Sequence, residues 1–173
     1  MSVSTPDSGF DAEVLYQKLL AQMKADWSQL GAAAHLVGVA SSGVWVAERL
    51  RQDMGLSAPI GVVSSSMHRD DFAQRGLAAS ALQTTLPFEV DGATVVLVDD
   101  VLHTGRTLRA VINELFDYGR PARVALAVLV DRGEHQLPVA ADWCGQRSAM
   151  ASDAVLNLSR DDQGQFAFEV EGA

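Results

Sequence analysis

The most constraining feature of this 173-residue sequence is one continuous stretch that runs from an apolar strand through two carboxylates into a helix. Residues 94–98 are apolar and mostly β-branched, which predicts a strand buried on both faces of a parallel sheet. Asp99 and Asp100 follow directly, and a helix is predicted over residues 107–118, where Gly119 ends it. A chain organised around such a segment folds as an α/β protein, in which ligands bind at the carboxyl ends of the strands.

The rest of the pattern alternates strands with helices. Further helices are predicted over 11–27, with Asp7 or Ser8 as cap, and over 44–54, and further strands over 36–40, 60–64, 124–130, 154–158 and 165–170. This order predicts a mostly parallel central sheet with helices on both faces. We expect a loose tail over 1–9, a single domain over 10–173, and a long flexible loop over 67–90, where the sequence turns polar and loses its period.

The composition excludes several classes of protein. Hydrophobic residues make up 48% and charged residues 20% of the chain, an ordinary globular balance that excludes a disordered or fibrous protein. No apolar run approaches the roughly 18 residues that a membrane helix needs. The polar first residues and the single cysteine predict a cytoplasmic protein. The 22 acidic and 13 basic residues give a net charge of −9, which disfavours general binding to nucleic acid.

The acidic pair and the loop that follows it suit a phosphorylated sugar. Two adjacent carboxylates can grip vicinal hydroxyls or bind Mg²⁺. The loop Thr104-Gly105-Arg106-Thr107 supplies backbone N–H groups at a helix N-terminus together with two hydroxyls, which suits a phosphate monoester. Together they predict carboxylates on the ring hydroxyls and the loop on a 5′-phosphate.

The same stretch carries a family resemblance. An apolar run, two acidic residues and then T-G-x-T is the signature of the type I phosphoribosyltransferases, which the sequence resembles at residues 95–107. Residues 69–71, 118–121 and 129–133 resemble, more narrowly, the PyrR family of pyrimidine-operon regulators and uracil phosphoribosyltransferases. The resemblance implies the type I phosphoribosyltransferase fold, with 67–90 as a flexible active-site loop and a small hood.

The resemblance also implies an activity and a set of site residues. The reaction would be uracil and 5-phosphoribosyl diphosphate (PRPP) to UMP and diphosphate, with Mg²⁺ as cofactor. Asp99 and Asp100 would be catalytic and would hold the metal through water and substrate, while Arg69 would reach over the diphosphate. The implied substrate-binding residues are Ser41, Ser42 and Gly43 for the diphosphate, Val101, Leu102, His103, Thr104, Gly105, Arg106 and Thr107 around the 5′-phosphate, and Asp131, Arg132 and Gly133 at the base. A homo-oligomer, a dimer or larger, is implied as well.

Other interpretations of these residues stay open in the sequence. A receiver domain also has an acidic pair at a strand end, but it needs a lysine late in the chain, and no lysine follows Asp100. A dinucleotide-binding domain needs a glycine-rich fingerprint or a P-loop, and neither is present. His103 is either a proton relay or a loop residue beside the phosphate. Arg69 is either a catalytic residue or a loop arginine in solvent.

The function has an alternative of a different class. The family resemblance also fits an RNA-binding attenuation regulator of the pyrimidine operon, or a sensor of UMP or PRPP with little catalysis. The acidic charge disfavours RNA as a partner. One departure from many relatives is that residues 40–43 contain no basic side chain, which predicts a modest affinity for the diphosphate.

Overall fold

The computed structural model describes residues 9–65 and 82–172, so Arg69 lies outside the described residues. Within those ranges the chain forms a five-stranded sheet, helices on both of its faces, and a separate two-stranded ribbon. In chain order the elements are α1 (Ala12–Asp26), a 3-10 turn (Trp27–Leu30), β1 (Ala34–Val39), α2 (Ser42–Asp53), β2 (Gly61–Val63), β3 (Thr94–Leu102), α3 (Arg106–Phe116), β4 (Arg123–Asp131), β5 (Trp143–Arg147), β6 (Val155–Arg160) and β7 (Phe166–Glu171).

The sheet is fully parallel, in the order β2-β1-β3-β4-β5, which confirms the predicted α/β class. β3 is central, and its alternating side chains feed two apolar cores. Val96 and Val98 pack with α1 and α2 on one face, whereas Val95 and Leu97 pack with α3 on the other. All four are completely buried. The helices therefore cover both faces, as the sequence predicts.

Helix α1 lies where its apolar stripe predicts, but its cap differs from the prediction. Leu15, Leu19 and Met23 are at most 2% exposed and face the sheet. Asp11 is the N-cap, because its side chain accepts a hydrogen bond from the backbone N–H of Val14 at 3.1 Å. The predicted caps at positions 7 and 8 lie outside the described residues.

The central strand is longer than the sequence predicts. Its pairing with β1 stops at Gly38 opposite Val98, because β1 ends at the next residue. Its pairing with β4 continues to Leu102 opposite Asp131. The acidic pair therefore lies within β3, just past the end of the neighbouring strand, and not in the loop that follows.

Residues 67–81 of the predicted loop over 67–90 lie outside the described residues. The last part of that loop is not flexible as predicted but is bonded to the sheet. Thr85 forms an antiparallel bridge with Val62 of β2, and the hydroxyl of Thr84 accepts a hydrogen bond from the N–H of Ser64 at 3.1 Å. Leu86 and Phe88 pack against the α3-side core. Residues 84–90 are thus held on the edge of the sheet.

The carboxyl-terminal residues form the small antiparallel ribbon β6–β7. Period-2 alternation buries Leu156, Leu158, Phe166 and Phe168 against the α1 and α2 side of the core. In the part of the chain that the structure describes, no helix has the length and apolar character that a membrane crossing requires.

Candidate active site

A cavity of about 170 Å³ opens at the carboxyl end of β3 and contains most of the predicted sugar-phosphate residues. It lies between the strand ends and the start of α3. Its lining consists of Val39, Asp99, Val101, Leu102, His103, Thr104, Gly105, Thr107, Leu108, Leu126 and Val128. A carboxylate, two threonines and a helix N-terminus therefore face one space, whose floor is apolar.

The two carboxylates of the acidic pair have different surroundings. Asp99 lines the cavity, whereas Asp100 is not among the lining residues. Oδ1 of Asp99 accepts a hydrogen bond from the N–H of Asp100 at 2.9 Å, and Oδ1 of Asp100 accepts one from the N–H of Val101 at 2.8 Å. These backbone bonds restrict the rotation of both carboxylates.

The loop before α3 has the geometry of an anion site. Gly105 is the N-cap of α3 and has a φ of 90°, a left-handed conformation that favours glycine. A Cβ at this position would also lie 2.6 Å from a methyl group of Val139. Thr104 accepts a hydrogen bond on its hydroxyl from the N–H of Arg106 at 3.3 Å. The positive end of the 11-residue helix then points at the cavity.

A second helix N-terminus lies beside the acidic pair. Ser41 is the N-cap of α2, and the Ala40–Ser41 peptide bond is cis. Helix α2 begins at Ser42, two residues earlier than predicted. Gly43 permits this start, because any Cβ there would collide with the carbonyl oxygen of Val98 in β3. The predicted diphosphate segment 41–43 therefore packs directly on the backbone that carries Asp99.

The end of β4 lies next to residues 103–107, which we call the phosphate loop. The polar groups at this end of β4 form hydrogen bonds within the protein. The N–H of Arg132 donates to the carbonyl of Leu102 at 2.9 Å, and the N–H of Gly133 donates to Oδ1 of Asp131 at 2.9 Å. The same carboxylate oxygen lies 2.8 Å from Nε2 of His135. Both of these N–H groups are therefore already engaged within the protein.

The side chain of Arg132 turns away from the cavity. It is only 4% exposed, and its two terminal nitrogens donate to the carbonyls of Ala154 at 2.6 Å and Ala151 at 2.8 Å. Its Nε has no hydrogen-bond partner among the described residues. The guanidinium thus holds the segment between β5 and β6 against the end of β4.

Two contacts of the phosphate loop have no signal in the sequence. Nε2 of His103 lies 3.1 Å from Oε2 of Glu134, and Nε of Arg106 donates to Oε1 of Gln136 at 3.1 Å. The partners are about 30 residues apart in the chain. Only the packing of the β4–β5 connection against the loop brings them together.

Asp99 and Asp100 could bind Mg²⁺ only together with oxygen ligands from the substrate and from water. Among the residues that the structure describes, no group of three or more acidic, histidine or cysteine side chains could enclose a metal. Mg²⁺ in phosphate-handling sites is commonly bound by one or two carboxylates together with oxygens of the substrate and water. Asp99 and Asp100 suit that mode.

Comparison with known proteins agrees with this geometry. The phosphoribosyl transferase domain family matches residues 6–153. A protein of Ralstonia nicotianae called "Bifunctional protein PyrR" is 53% identical over 165 residues, which cover 91% of this chain and 90% of that protein. A protein of the same name from Pseudomonas aeruginosa is 42% identical over 145 residues, or 83% of this chain and 85% of the relative.

Solved structures show the same fold at low sequence identity. A purine phosphoribosyltransferase from Pyrococcus horikoshii superposes with a TM-score of 0.56 at 23% identity, over 80% of this chain and 83% of that one. A hypoxanthine phosphoribosyl transferase from Trypanosoma cruzi superposes with a TM-score of 0.61 at 20% identity, over 87% and 82%. By fold and by sequence, the chain belongs to the phosphoribosyltransferases and, within them, to the PyrR family.

Proposed function

We propose that this protein transfers the phosphoribosyl group of PRPP to uracil, giving UMP and diphosphate. The observation that carries the proposal is that Asp99, His103, Thr104, Gly105 and Thr107 line one cavity. The α2 N-terminus borders the acidic pair, and the end of β4 adjoins the loop. We assign one subsite each to the 5′-phosphate, the ribose, the diphosphate and the base, of which the last two both meet the ribose at C1′.

Each segment has a chemical task in this proposal. The N–H groups at the start of α3 and the hydroxyls of Thr104 and Thr107 bind the 5′-phosphate and so fix the ribose. The carboxylates of Asp99 and Asp100 hold the 2′- and 3′-hydroxyls and place negative charge near the ring. Residues 41–43 bind the diphosphate through backbone N–H groups, and residues 131–133 position the base.

The reaction exchanges one bond at the anomeric carbon. The bond from C1′ to the diphosphate oxygen breaks, the bond from C1′ to N1 of uracil forms, and the N1 proton passes to solvent. The ribose ring gains positive charge in the transition state. The fixed carboxylates of Asp99 and Asp100 stabilise this charge. When bound, Mg²⁺ supplies charge neutralisation to the diphosphate leaving group.

A base screen tests the proposal. The protein is incubated with PRPP, Mg²⁺ and, in separate reactions, uracil, cytosine, hypoxanthine or guanine, and the nucleotide and diphosphate are quantified. We expect UMP and diphosphate in equal amounts with uracil and little product with the other bases. Binding of UMP without turnover of any base would instead favour the sensor function.

We also propose that the protein regulates pyrimidine genes. This second function is supported by relatives named bifunctional, one of which is 53% identical over 91% of the chain. The acidic charge of the chain opposes tight RNA binding, so we expect that regulation through RNA is weak here.

A further inference from the structure

The connection after β4 forms a second layer behind the phosphate loop. We call residues 133–139 the brace. Its backbone is joined to the loop, since the N–H of Gln136 donates to the carbonyl of Thr104 at 2.8 Å. Val139 and Leu137 lie against the Cα of Gly105, where they fill the space that a side chain would need. The brace therefore contacts residues that line the cavity without lining it itself.

Two brace side chains reach the polar side chains of the loop. Oε1 of Gln136 accepts the hydrogen bond from Nε of Arg106 at 3.1 Å. Oε2 of Glu134 lies 3.1 Å from Nε2 of His103. Both brace residues are exposed, so neither contributes to the apolar cores. Their contacts are directed at the loop before α3, the predicted site of the 5′-phosphate.

The position of Arg106 gives this contact a consequence for substrate. Arg106 is the first residue of α3 and lies between Gly105 and Thr107, which line the cavity, although Arg106 itself is not among the lining residues. A bond from Nε to Gln136 ties this first residue of the helix to the brace, so the start of α3 is held in place before a phosphate binds.

We propose that Gln136 is a positioning residue for the 5′-phosphate, which acts by holding Arg106. The inference rests on the proposed function in one respect, which is that the anion bound at the phosphate loop is the 5′-phosphate of the substrate. It predicts that loss of the Gln136 acceptor weakens binding at the phosphate end of the substrate and leaves the diphosphate end unchanged.

A double-mutant cycle tests the inference. Wild type, Gln136→Met, Arg106→Met and the double variant are titrated by calorimetry with ribose 5-phosphate and, separately, with diphosphate and Mg²⁺. Methionine keeps the length of glutamine and removes the acceptor, while the backbone bond to Thr104 remains. Gln163→Met, at an exposed glutamine in the β6–β7 turn, is the matched control.

We expect Gln136→Met to weaken ribose 5-phosphate binding by about three- to tenfold, the range of one ordinary intramolecular hydrogen bond. Diphosphate affinity should stay within twofold, and Gln163→Met should bind both ligands like wild type. In the Arg106→Met background the second substitution should have almost no further effect, because the two residues act as one unit.

Three outcomes overturn the inference. Wild-type affinity of Gln136→Met for ribose 5-phosphate would show that the contact positions nothing. Equal weakening of both ligands would indicate general damage to the fold. An undiminished effect in the Arg106→Met background would show that Gln136 acts by another route. Because these are binding measurements, they remain decisive even if the base screen finds no transfer to uracil.

Discussion

At the scale of single residues, the two carboxylates of the acidic pair differ in their relation to the cavity. Asp99 lines the cavity, and Asp100 is not among the lining residues. Only Asp99 shares a space with the threonines of the phosphate loop.

The acidic pair gives the first prediction. Asp99→Asn and Asp100→Asn should each lower kcat by about 10²–10³-fold, because each removes a fixed negative charge near the reacting carbon. Asparagine keeps the acceptor for the backbone N–H, so the melting temperature should remain close to that of wild type. Asp162→Asn, at an exposed position of the β6–β7 turn, is the control and should be fully active. Normal kcat in both single variants would remove the pair from the mechanism.

Gly43 gives the second prediction. Its Cα packs on β3 so closely that Gly43→Ala must displace the start of α2 from the carbonyl of Val98. We expect a loss of about 1–3 kcal/mol in the free energy of unfolding, the usual cost of overpacking, and a higher KM for PRPP. Ser42→Ala, one residue earlier, serves as the control in denaturant titrations and kinetics. A Gly43→Ala protein as stable and active as Ser42→Ala would show that the close approach has no importance.

At the scale of elements, strands and helices with strong apolar periods were predictable and one edge strand was not. β1, β3 and β4 are apolar runs, and α1 carries its stripe at i, i+4 and i+8. β5 has the sequence Trp-Cys-Gly-Gln-Arg, which shows neither alternation nor a continuous apolar run. Its strand conformation comes from pairing with β4 and from Gly145, whose missing side chain admits the backbone of Leu15.

The candidate site divides in the same way. Residues 99–107 are contiguous, so their strand, loop and helix could be predicted from local sequence. The contact of Gly43 with β3 and the contacts of the brace join segments that are distant in the chain, and no local pattern encodes them. The expectation that Arg132 belongs to the site did not foresee that its guanidinium is buried against the carbonyls of the β5–β6 segment.

A charged contact that joins α1, α2 and β7 gives the third prediction. Both carboxylate oxygens of Glu13 accept hydrogen bonds from Arg49, at 2.7 and 2.8 Å, and Oε1 also accepts one from the N–H of Phe166. The bonds to Arg49 are the main cause that lowers the pKa of Glu13 below its ordinary value of 4.5. A lowered pKa means that the contact stabilises the fold above pH 4.5 and that this stabilisation disappears as the pH falls through the folded-state pKa.

The measurement is the free energy of unfolding of wild type and Glu13→Gln as a function of pH. Glutamine keeps an acceptor and loses the charge, so we expect a loss of about 1 kcal/mol at pH 7. The difference should shrink below pH 4.5, where the wild-type carboxylate becomes protonated. Glu171→Gln, an exposed residue of the same ribbon, should show no such difference. A constant difference between pH 7 and pH 3 would contradict the assigned contact.

At the scale of the whole molecule, charge separates the two proposed functions. The chain carries a net charge of −9. Many of the described arginines are also already paired with a carboxylate of the same molecule: Arg49 with Glu13, Arg123 with Asp142, Arg147 with Asp131, and Arg160 with Glu48. Such pairs weaken the positive potential that a phosphate backbone needs. A phosphate monoester requires only one local anion site, which the start of α3 supplies.

The last prediction follows from this contrast. Titrated with the leader RNA of its own pyrimidine genes at physiological salt, the protein should bind more weakly than about 1 µM, in the range of non-specific complexes. UMP should change this affinity little, and a scrambled RNA of equal length should bind equally well, because the remaining attraction carries no sequence information. The contradicting result is sub-micromolar binding that strengthens with UMP, weakens steeply with salt and is lost with the scrambled RNA. That result would require a basic surface that the paired arginines do not form, and it would make RNA-mediated regulation a principal activity beside the transferase.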